Sequence, residues 1–283
     1  MLTGKTAGAI SASALTDPCQ TASMDQRQRV VAWLAEARRI LVFTGAGIST
    51  ESGIPDFRGP QGVWRSRDPA RWTIDRYLAD PEVRRERWLD RLASPVEAAR
   101  PNAAHLAVAA LERTGRAPVV VTQNIDGLHQ LAGSTDVIEL HGTTRAAVCL
   151  DCRRRSSIEV VLDRVREGDT DPRCETCGGL LKTATVSFGE ALDEADLERA
   201  MREADRCDVC LAVGSTLSVW PAAGVPVRAV ETGARLVIVN QGETDLDAVA
   251  DAILEGAAGE VLPALIRGAF PGVVDRGSPS PVL

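Results

Sequence analysis

Ile40-Leu-Val-Phe-Thr44-Gly45-Ala46-Gly47-Ile48-Ser49 is the stretch on which the fold turns. Four consecutive apolar residues, β-branched or aromatic in three cases, read as a strand buried on both faces, the signature of a parallel sheet. The chain then passes at once into a Gly-x-Gly turn, where a first βα unit holds a diphosphate. Gly45 and Gly47 let backbone N–H groups approach phosphate oxygens, and the N-terminus of an expected following helix adds favourable potential. The pattern departs from the usual dinucleotide fingerprint, because Thr50 stands three residues after Gly47 and no strand ending in Asp or Glu follows about 20 residues later. A lone Gly-x-Gly also occurs in ligand-free strand-to-helix turns.

Working outward, further apolar runs lie at Val119–Val121, Val137–Leu140, Val209–Val213 and Leu236–Val239, and helical patterning at Gln26–Arg38, Ala103–Arg113, Glu194–Ala204 and Ala258–Arg267. Buried strands alternating with helices predict an α/β fold, a Rossmann-like doubly wound parallel sheet. The alternation breaks at 145–184, where cysteines, charges and Gly178-Gly179 suggest a smaller inserted zinc-ribbon lobe. Residues from about 54 to 101, rich in Arg, Trp and Pro, read as a partly helical insertion. The expected domains are therefore a Rossmann-like unit of 25–144 and 185–267, a zinc-binding module of 145–184, and flexible tails at 1–24 and 268–283.

The whole chain has 283 residues, 45% hydrophobic and 25% charged, with seven cysteines and a net charge of −7. The acidic balance disfavours a sequence-independent nucleic-acid binder, although most of the 32 basic residues are arginines. No run reaches the roughly 18 apolar residues of a membrane span, and neither a signal peptide nor a membrane segment is expected. Cys149-x-x-Cys152 and Cys174-x-x-Cys177 have close to zinc-knuckle spacing, and four thiolates leave no position for a catalytic water, so a single structural Zn2+ is expected. Cys207 and Cys210 lead into a strand and read as buried residues; Cys19 lies in the N-terminal tail.

Three histidines can be weighed singly. His105 sits in a helical stretch and reads as a packing or capping residue; His129, after Asp126-Gly-Leu, reads as a structural hydrogen-bonding group. His141 ends a strand at the carboxyl edge of the sheet, where ligands of open α/β folds bind, and an imidazole suits a general base near neutral pH. The alternative is a buried histidine bonded to a backbone carbonyl. Gln123, Asn124 and Asp126 follow another strand, where amide and carboxylate groups can recognise a carboxamide and ribose hydroxyls, or simply form a polar turn.

Glu51-Ser-Gly-Ile-Pro-Asp-Phe-Arg-Gly59, Gly62-Val-Trp64, Thr122-Gln-Asn-Ile-Asp-Gly-Leu-His129, Glu139-Leu-His-Gly142 and the cysteine pairs, taken together, resemble the sirtuin family of NAD-dependent protein-lysine deacylases across about 25–267. The resemblance implies an NAD-dependent deacetylase that releases nicotinamide and O-acetyl-ADP-ribose. It implies His141 as the base on a ribose hydroxyl, and Gln123, Asn124, Ile125 and Asp126 around nicotinamide and its ribose, with Asn124 in the catalytic set. It further implies Gly45, Ala46, Gly47 and Ser49 at the cofactor, with Asp56, Phe57 and Arg58 in a mobile cofactor loop, and Gly214, Ser215, Thr216 and Asn240 at the adenosine half, with a further contact near 255–258. The four cysteines correspond to the family's zinc site. Val186, Phe188, Gly189 and Glu190 resemble the segment that binds acylated-lysine protein substrates, although Ser187 stands where the family usually has an aromatic residue. Succinyl- or malonyl-preferring members share a Tyr-x-x-Arg pair; after Tyr77 this chain has Asp80, which argues for an uncharged acyl group, although arginines at 84–91 offer another route to the pocket. Two other readings are deacylation of other uncharged acyl groups and protein mono-ADP-ribosyl transfer. A zinc-ribbon binding module with an incidental α/β domain is the non-enzymatic rival; no membrane or nucleic-acid partner is expected, and a cytoplasmic location is.

Overall fold

The structure is a computed structural model that describes residues 25–57, 59, 62–63 and 68–273. Its centre is a six-stranded parallel sheet in the order β3-β2-β1-β7-β8-β9, from β1 (Ile40–Thr44), β2 (Val120–Thr122), β3 (Val137–Glu139), β7 (Val209–Val213), β8 (Arg235–Asn240) and β9 (Ala252–Glu255). Connections run outward in one direction from β1 and in the other from β7. The crevice between these two neighbours is therefore the point where strand order reverses.

Alternation within the strands divides the core. Ile40 and Val42 face one layer with Val30 and Leu34 of α1 (Gln26–Glu36), Val108 and Leu111 of α4 (Ala103–Glu112), and Leu262 and Ile266 of α9 (Ala258–Ala269). Leu41 and Phe43 face the other, with Ala200 and Ala204 of α7 (Glu194–Ala204) and Val225 and Ala229 of α8 (Gly224–Glu231). Because both faces are covered, the strand sequences carry no polar alternation. The edge strand β9, four residues long and half-buried, gives no comparable apolar run and was not anticipated.

The boundary placed at 268 is too early: α9 continues to Ala269, Ala269 is buried, and Phe270 packs on the core. Gly268 lies so close to α1 that a Cβ there would meet the Val31 side chain at 3.0 Å. The N-terminal stretch 1–24 with Cys19, residues 274–283, Arg58 and Trp64 lie outside the described residues.

A second, three-stranded antiparallel sheet, β5-β4-β6, carries the cysteines: β4 (Gly142–Cys149), β5 (Arg155–Ser157) and β6 (Leu181–Thr185), with α6 (Ile158–Arg166) between β5 and β6. The other insertion forms α2 (Ile74–Ala79) and α3 (Pro81–Leu92), and the two insertions share one core, since Trp88 of α3 packs with Ala147, Leu162 and Leu181. Tyr77 donates its hydroxyl to the Leu181 carbonyl, and Arg84 makes a bidentate pair with Asp171. The small lobe is thus one body built from both insertions.

Candidate active site

At the end of β1 the Gly45 N–H bonds the Val213 carbonyl and the Gly47 N–H bonds Gly214, which draws the two strand-end turns into contact. No side chain fits there: a Cβ on Gly47 would lie 2.8 Å from Gly214 Cα, and one on Gly214, whose φ is +62°, would lie 2.3 Å from Ile48 N. The turn is followed by a 3-10 helix, Ala46–Ser52, rather than the α-helix expected from the strand-turn pattern. A seven-residue 3-10 segment has a much weaker dipole than a long α-helix, so an anion at this edge would meet backbone N–H groups more than a macrodipole.

A cavity of about 520 Å3 opens over this crevice, lined by Gly45, Ala46, Gly47, Asp56, Phe57, Gln123, Asn124, His141, Gly214, Ser215, Thr216 and Asn240. Residues from six segments distant in sequence thus meet where the topology places a ligand. Val219 and the Gln241–Glu243 turn join them. Sequence reading passed over these, although their places, after β7 and immediately after the carboxyl end of β8, were a usable signal. The stretch 255–258 does not line this cavity. Gln123 Nε2 donates to Ser215 Oγ at 2.8 Å, tying the β2 edge to the β7 edge across β1.

A second cavity of about 450 Å3 adjoins the first, sharing Ala46, Phe57 and Asn124, and enters the small lobe beneath Ile54, Pro55, Ile125, Asp126 and Val63. Ser49 faces this side and is fully buried: its hydroxyl donates to Asp126 Oδ2 at 2.8 Å and accepts from Asn124 Nδ2 at 3.1 Å. The hydrogen-bonding partners of Ser49 are therefore the polar residues of the β2 turn, and it does not line the first cavity, where it was expected at the cofactor. Asp126 Oδ1 accepts from Leu128 N, so both carboxylate oxygens are fixed at the start of α5 (Leu128–Leu131).

His141 stands on the short link between β3 and β4, where the chain leaves the large sheet for the small lobe. Its Nδ1 lies 2.9 Å from the Gln123 carbonyl. A carbonyl only accepts, so Nδ1 carries the proton and Nε2 is the basic nitrogen. The backbone bond that one reading expected turns Nε2 into the nitrogen that the other reading would need.

The other histidines hold the frame. His105, at the third position of α4, completes a capping box with Asn102, with Nε2 3.4 Å from Ser49 Oγ. His129 Nε2 is 2.9 Å from Thr44 Oγ1, which in turn meets Thr122 Oγ1 at 2.8 Å, linking the ends of β1 and β2. Burial lowers His129 to about 3 and His105 to about 4, so both are neutral at ordinary pH.

The segment after β6 runs between the β3–β4 link and the start of α2: Val186 N bonds the His141 carbonyl, Phe188 N the Trp72 carbonyl, and Ile74 N the Phe188 carbonyl. Phe188 and Gly189 are accessible at this bridge, and Gly189 has φ +87°. Glu190 is turned inward, since its carboxylate accepts from Ser187 N and pairs with the buried Lys182.

The sulfur atoms of Cys149, Cys152, Cys174 and Cys177 lie within 4.8 Å of one another, with 3.5 Å between Cys149 and Cys177 and 3.7 Å between Cys152 and Cys174. A tetrahedron with Zn–S bonds of about 2.3 Å has S–S edges of about 3.8 Å, so the donor set fits one zinc ion. Cys210 is fully buried and Cys207 partly so, and burial pushes the Cys207 thiol up to about 12 and that of Cys210 well above its ordinary range. Both are packing residues.

A profile of the Sir2 family matches residues 45–221. NAD-dependent protein deacetylase 2 of Streptomyces coelicolor is 52% identical over 234 residues, 81% of this chain and 97% of that protein. An NAD-dependent protein deacetylase of Caldivirga maquilingensis is 46% identical over 87% of this chain and 94% of its own length. A structure from work on the mechanism and regulation of Sir2 enzymes matches with a TM-score of 0.80 at 41% identity, covering 87% of this chain and 98% of that one. Another, a histidine-to-alanine Sir2 with a deacetylated p53 peptide and 3'-O-acetyl ADP ribose, matches with a TM-score of 0.79 at 37% identity, over 85% of this chain and 97% of its own.

Proposed function

The chain belongs to the Sir2 family, the sirtuins, and from that premise we propose that it is an NAD-dependent protein-lysine deacetylase, transferring the acetyl group to ADP-ribose. The observation that carries the reading is His141, held in one tautomer by the Gln123 carbonyl on the wall that also holds the Gly45–Gly47 turn.

NAD, when bound, supplies an electrophilic ribose carbon as nicotinamide departs. The Gly45, Ala46 and Gly47 turn and the Gly214, Ser215 and Thr216 turn bind its diphosphate and adenosine side, with Asn240 at the far end of the crevice. Asn124 and Asp126 hold the nicotinamide side, with Ile125 beside them and Gln123 at the ribose, and Ser49 keeps Asn124 and Asp126 in register through its two hydrogen bonds. Phe57 lies between the two cavities and shields the reacting carbon from water, Asp56 lines the cofactor cavity beside it, and Arg58 supports cofactor binding. His141 Nε2 takes the proton from a ribose hydroxyl, which frees that oxygen to accept the acyl group.

Acylated lysine enters from the small-lobe side, its peptide adding beside Val186, Phe188 and Gly189 by backbone hydrogen bonds that ignore side-chain identity. Zinc on the four cysteines is structural: it holds the small lobe in shape and takes no part in the chemistry. No helix among the described residues is long and apolar enough to cross a membrane, and we place the enzyme in the cytoplasm, where reduced cysteines retain zinc.

The test is mass spectrometry of an acetyl-lysine peptide with and without NAD, for the parent enzyme and His141→Ala. The expected result is NAD-dependent deacetylation with acetyl-ADP-ribose as product, and a loss of about 10^2- to 10^4-fold in kcat in the variant while NAD still binds. ADP-ribosylated protein in place of deacetylated peptide would transfer the assignment to mono-ADP-ribosyl transfer.

A further inference from the structure

Lys5 and Lys182 are the only lysines among the chain's 32 basic residues, and Lys182 lies on β6, 4% exposed. At this buried position a chain that otherwise uses arginine keeps a compact ammonium, with three diverging donors in place of a planar fork. Three acceptors surround Lys182 Nζ: the Thr185 carbonyl, the Ser187 hydroxyl at 3.4 Å and the Glu190 carboxylate, with which it forms an ion pair. Donors and acceptors match in number, so the buried charge is both paired and hydrogen-bonded.

All three acceptors belong to the stretch from the end of β6 to Glu190. Between β6 and α7 this stretch has no helix or strand of its own, only the single bridge of Phe188 to Thr73. Glu190 closes the turn from its side: its N–H bonds the Ser187 carbonyl at 3.0 Å, and its Oε2 accepts from Ser187 N at 2.7 Å as well as from Lys182. Arg87 donates to the same Ser187 hydroxyl at 3.4 Å and acts on Glu190 through space, but the ion pair of Glu190 is with Lys182.

The turn held in this way presents Gly189, which is exposed and has neither its N–H nor its carbonyl bonded among the described residues. The other end of the segment is fixed at the catalytic link, since Val186 N bonds the His141 carbonyl. The Lys182–Glu190 pair therefore sets where the open edge at Gly189 stands relative to His141. Lys182 has spent its three donors inside the protein and has none left for a substrate. Neither residue of the pair lines the crevice over the Gly45–Gly47 turn.

Resting on the deacylase reading, we propose that Lys182 and Glu190 are positioning residues for the acylated peptide: their buried pair holds the 187–190 turn in the shape that offers its backbone edge beside His141. Both act through that backbone and not by touching the substrate. The pair should then be felt in peptide binding and not in NAD binding.

Steady-state kinetics with an acetyl-lysine peptide and NAD varied in turn compare the parent enzyme with Lys182→Met, Lys182→Arg and Glu190→Gln, and the thermal midpoint of each is read alongside. In Lys182→Met the KM for peptide is expected to rise about tenfold while the KM for NAD stays within about twofold. Lys182→Arg keeps the charge but not three diverging donors, and Glu190→Gln keeps an acceptor for Ser187 N but not the charge, so both should fall between. KM does not depend on how much of the enzyme is folded. A pair that only stabilises the small lobe would therefore lower the thermal midpoint and leave both KM values where they are. That result, or a rise of the two KM values together, overturns the proposal while leaving the deacylase intact. If Lys182→Met yields no folded protein, the two milder variants carry the same comparison. A parent enzyme that removes no acetyl group with NAD overturns the deacylase reading and this proposal with it.

Discussion

His129 is 1% exposed and His105 is fully buried, and each does its structural work as a neutral ring. Their depressed values make stability depend on pH with a definite sign. In the unfolded chain both titrate near 6.5, but in the folded one only near 3 and 4, so between these limits the unfolded state binds more protons. Stability is therefore full above about 6.5 and falls on acidification, with a slope approaching about 1.4 kcal/mol per pH unit for each histidine. Urea denaturation at several pH values should show this slope, and His129→Gln should reduce it while also lowering the midpoint through the lost Thr44 contact. The roles of His105 and His129 were legible from their neighbours in sequence. The tautomer of His141 was not, because it depends on the Gln123 carbonyl, 18 residues away in the chain.

Between elements, the decisive contact is the one between the turn after β1 and the turn after β7. Both were readable as strand-end glycine turns, yet nothing in either segment states that they touch. The contact has no room for a methyl group and uses a positive φ at Gly214, so Gly214→Ala should cost about 1–3 kcal/mol in strain and part the two turns. Calorimetric NAD titration should show weakened binding together with a lowered thermal midpoint; unchanged affinity would mean that the turn pair is not the diphosphate site. Elements with strong periodicity, such as α7, matched their expected limits. The short ones, β5, α5 and β9, did not announce themselves, because three or four residues are stabilised by their neighbours and not by their own pattern.

Across the whole molecule, two insertions separated in sequence form one lobe, and a few polar links fasten it: Arg84 to Asp171, Tyr77 to the Leu181 carbonyl, and Arg91 to the Thr144 carbonyl. Asp171 stands three residues before Cys174, so the metal knuckle and α3 share a clamp. Arg84 is 5% exposed, and removing it leaves Asp171 with only the more exposed Arg173 and frees the Tyr77 and Leu78 carbonyls it bonds; Arg84→Met should destabilise the protein by about 2 kcal/mol. Chelation should release one zinc per chain and abolish deacetylation, with NAD affinity affected much less because the diphosphate crevice belongs to the other lobe. Metal analysis, activity and NAD titration on the same sample test this, and full activity in zinc-free protein would contradict a structural role.

Local order determined much of this protein by itself. Buried strands must be continuously apolar, a strand-end phosphate turn needs glycine, and paired thiolates at knuckle spacing need little more than a tight turn, so the sheet, the Gly45–Gly47 loop and the cysteine tetrad are written in short stretches of chain. The tertiary structure alone decided what distance along the chain conceals. It set the fusion of the 54–101 and 145–184 segments into one lobe, the inward turn of Glu190 and the 3-10 geometry after Gly47. Charge compensation and close packing are properties of neighbours in space, and no spacing in the sequence records which neighbours those will be.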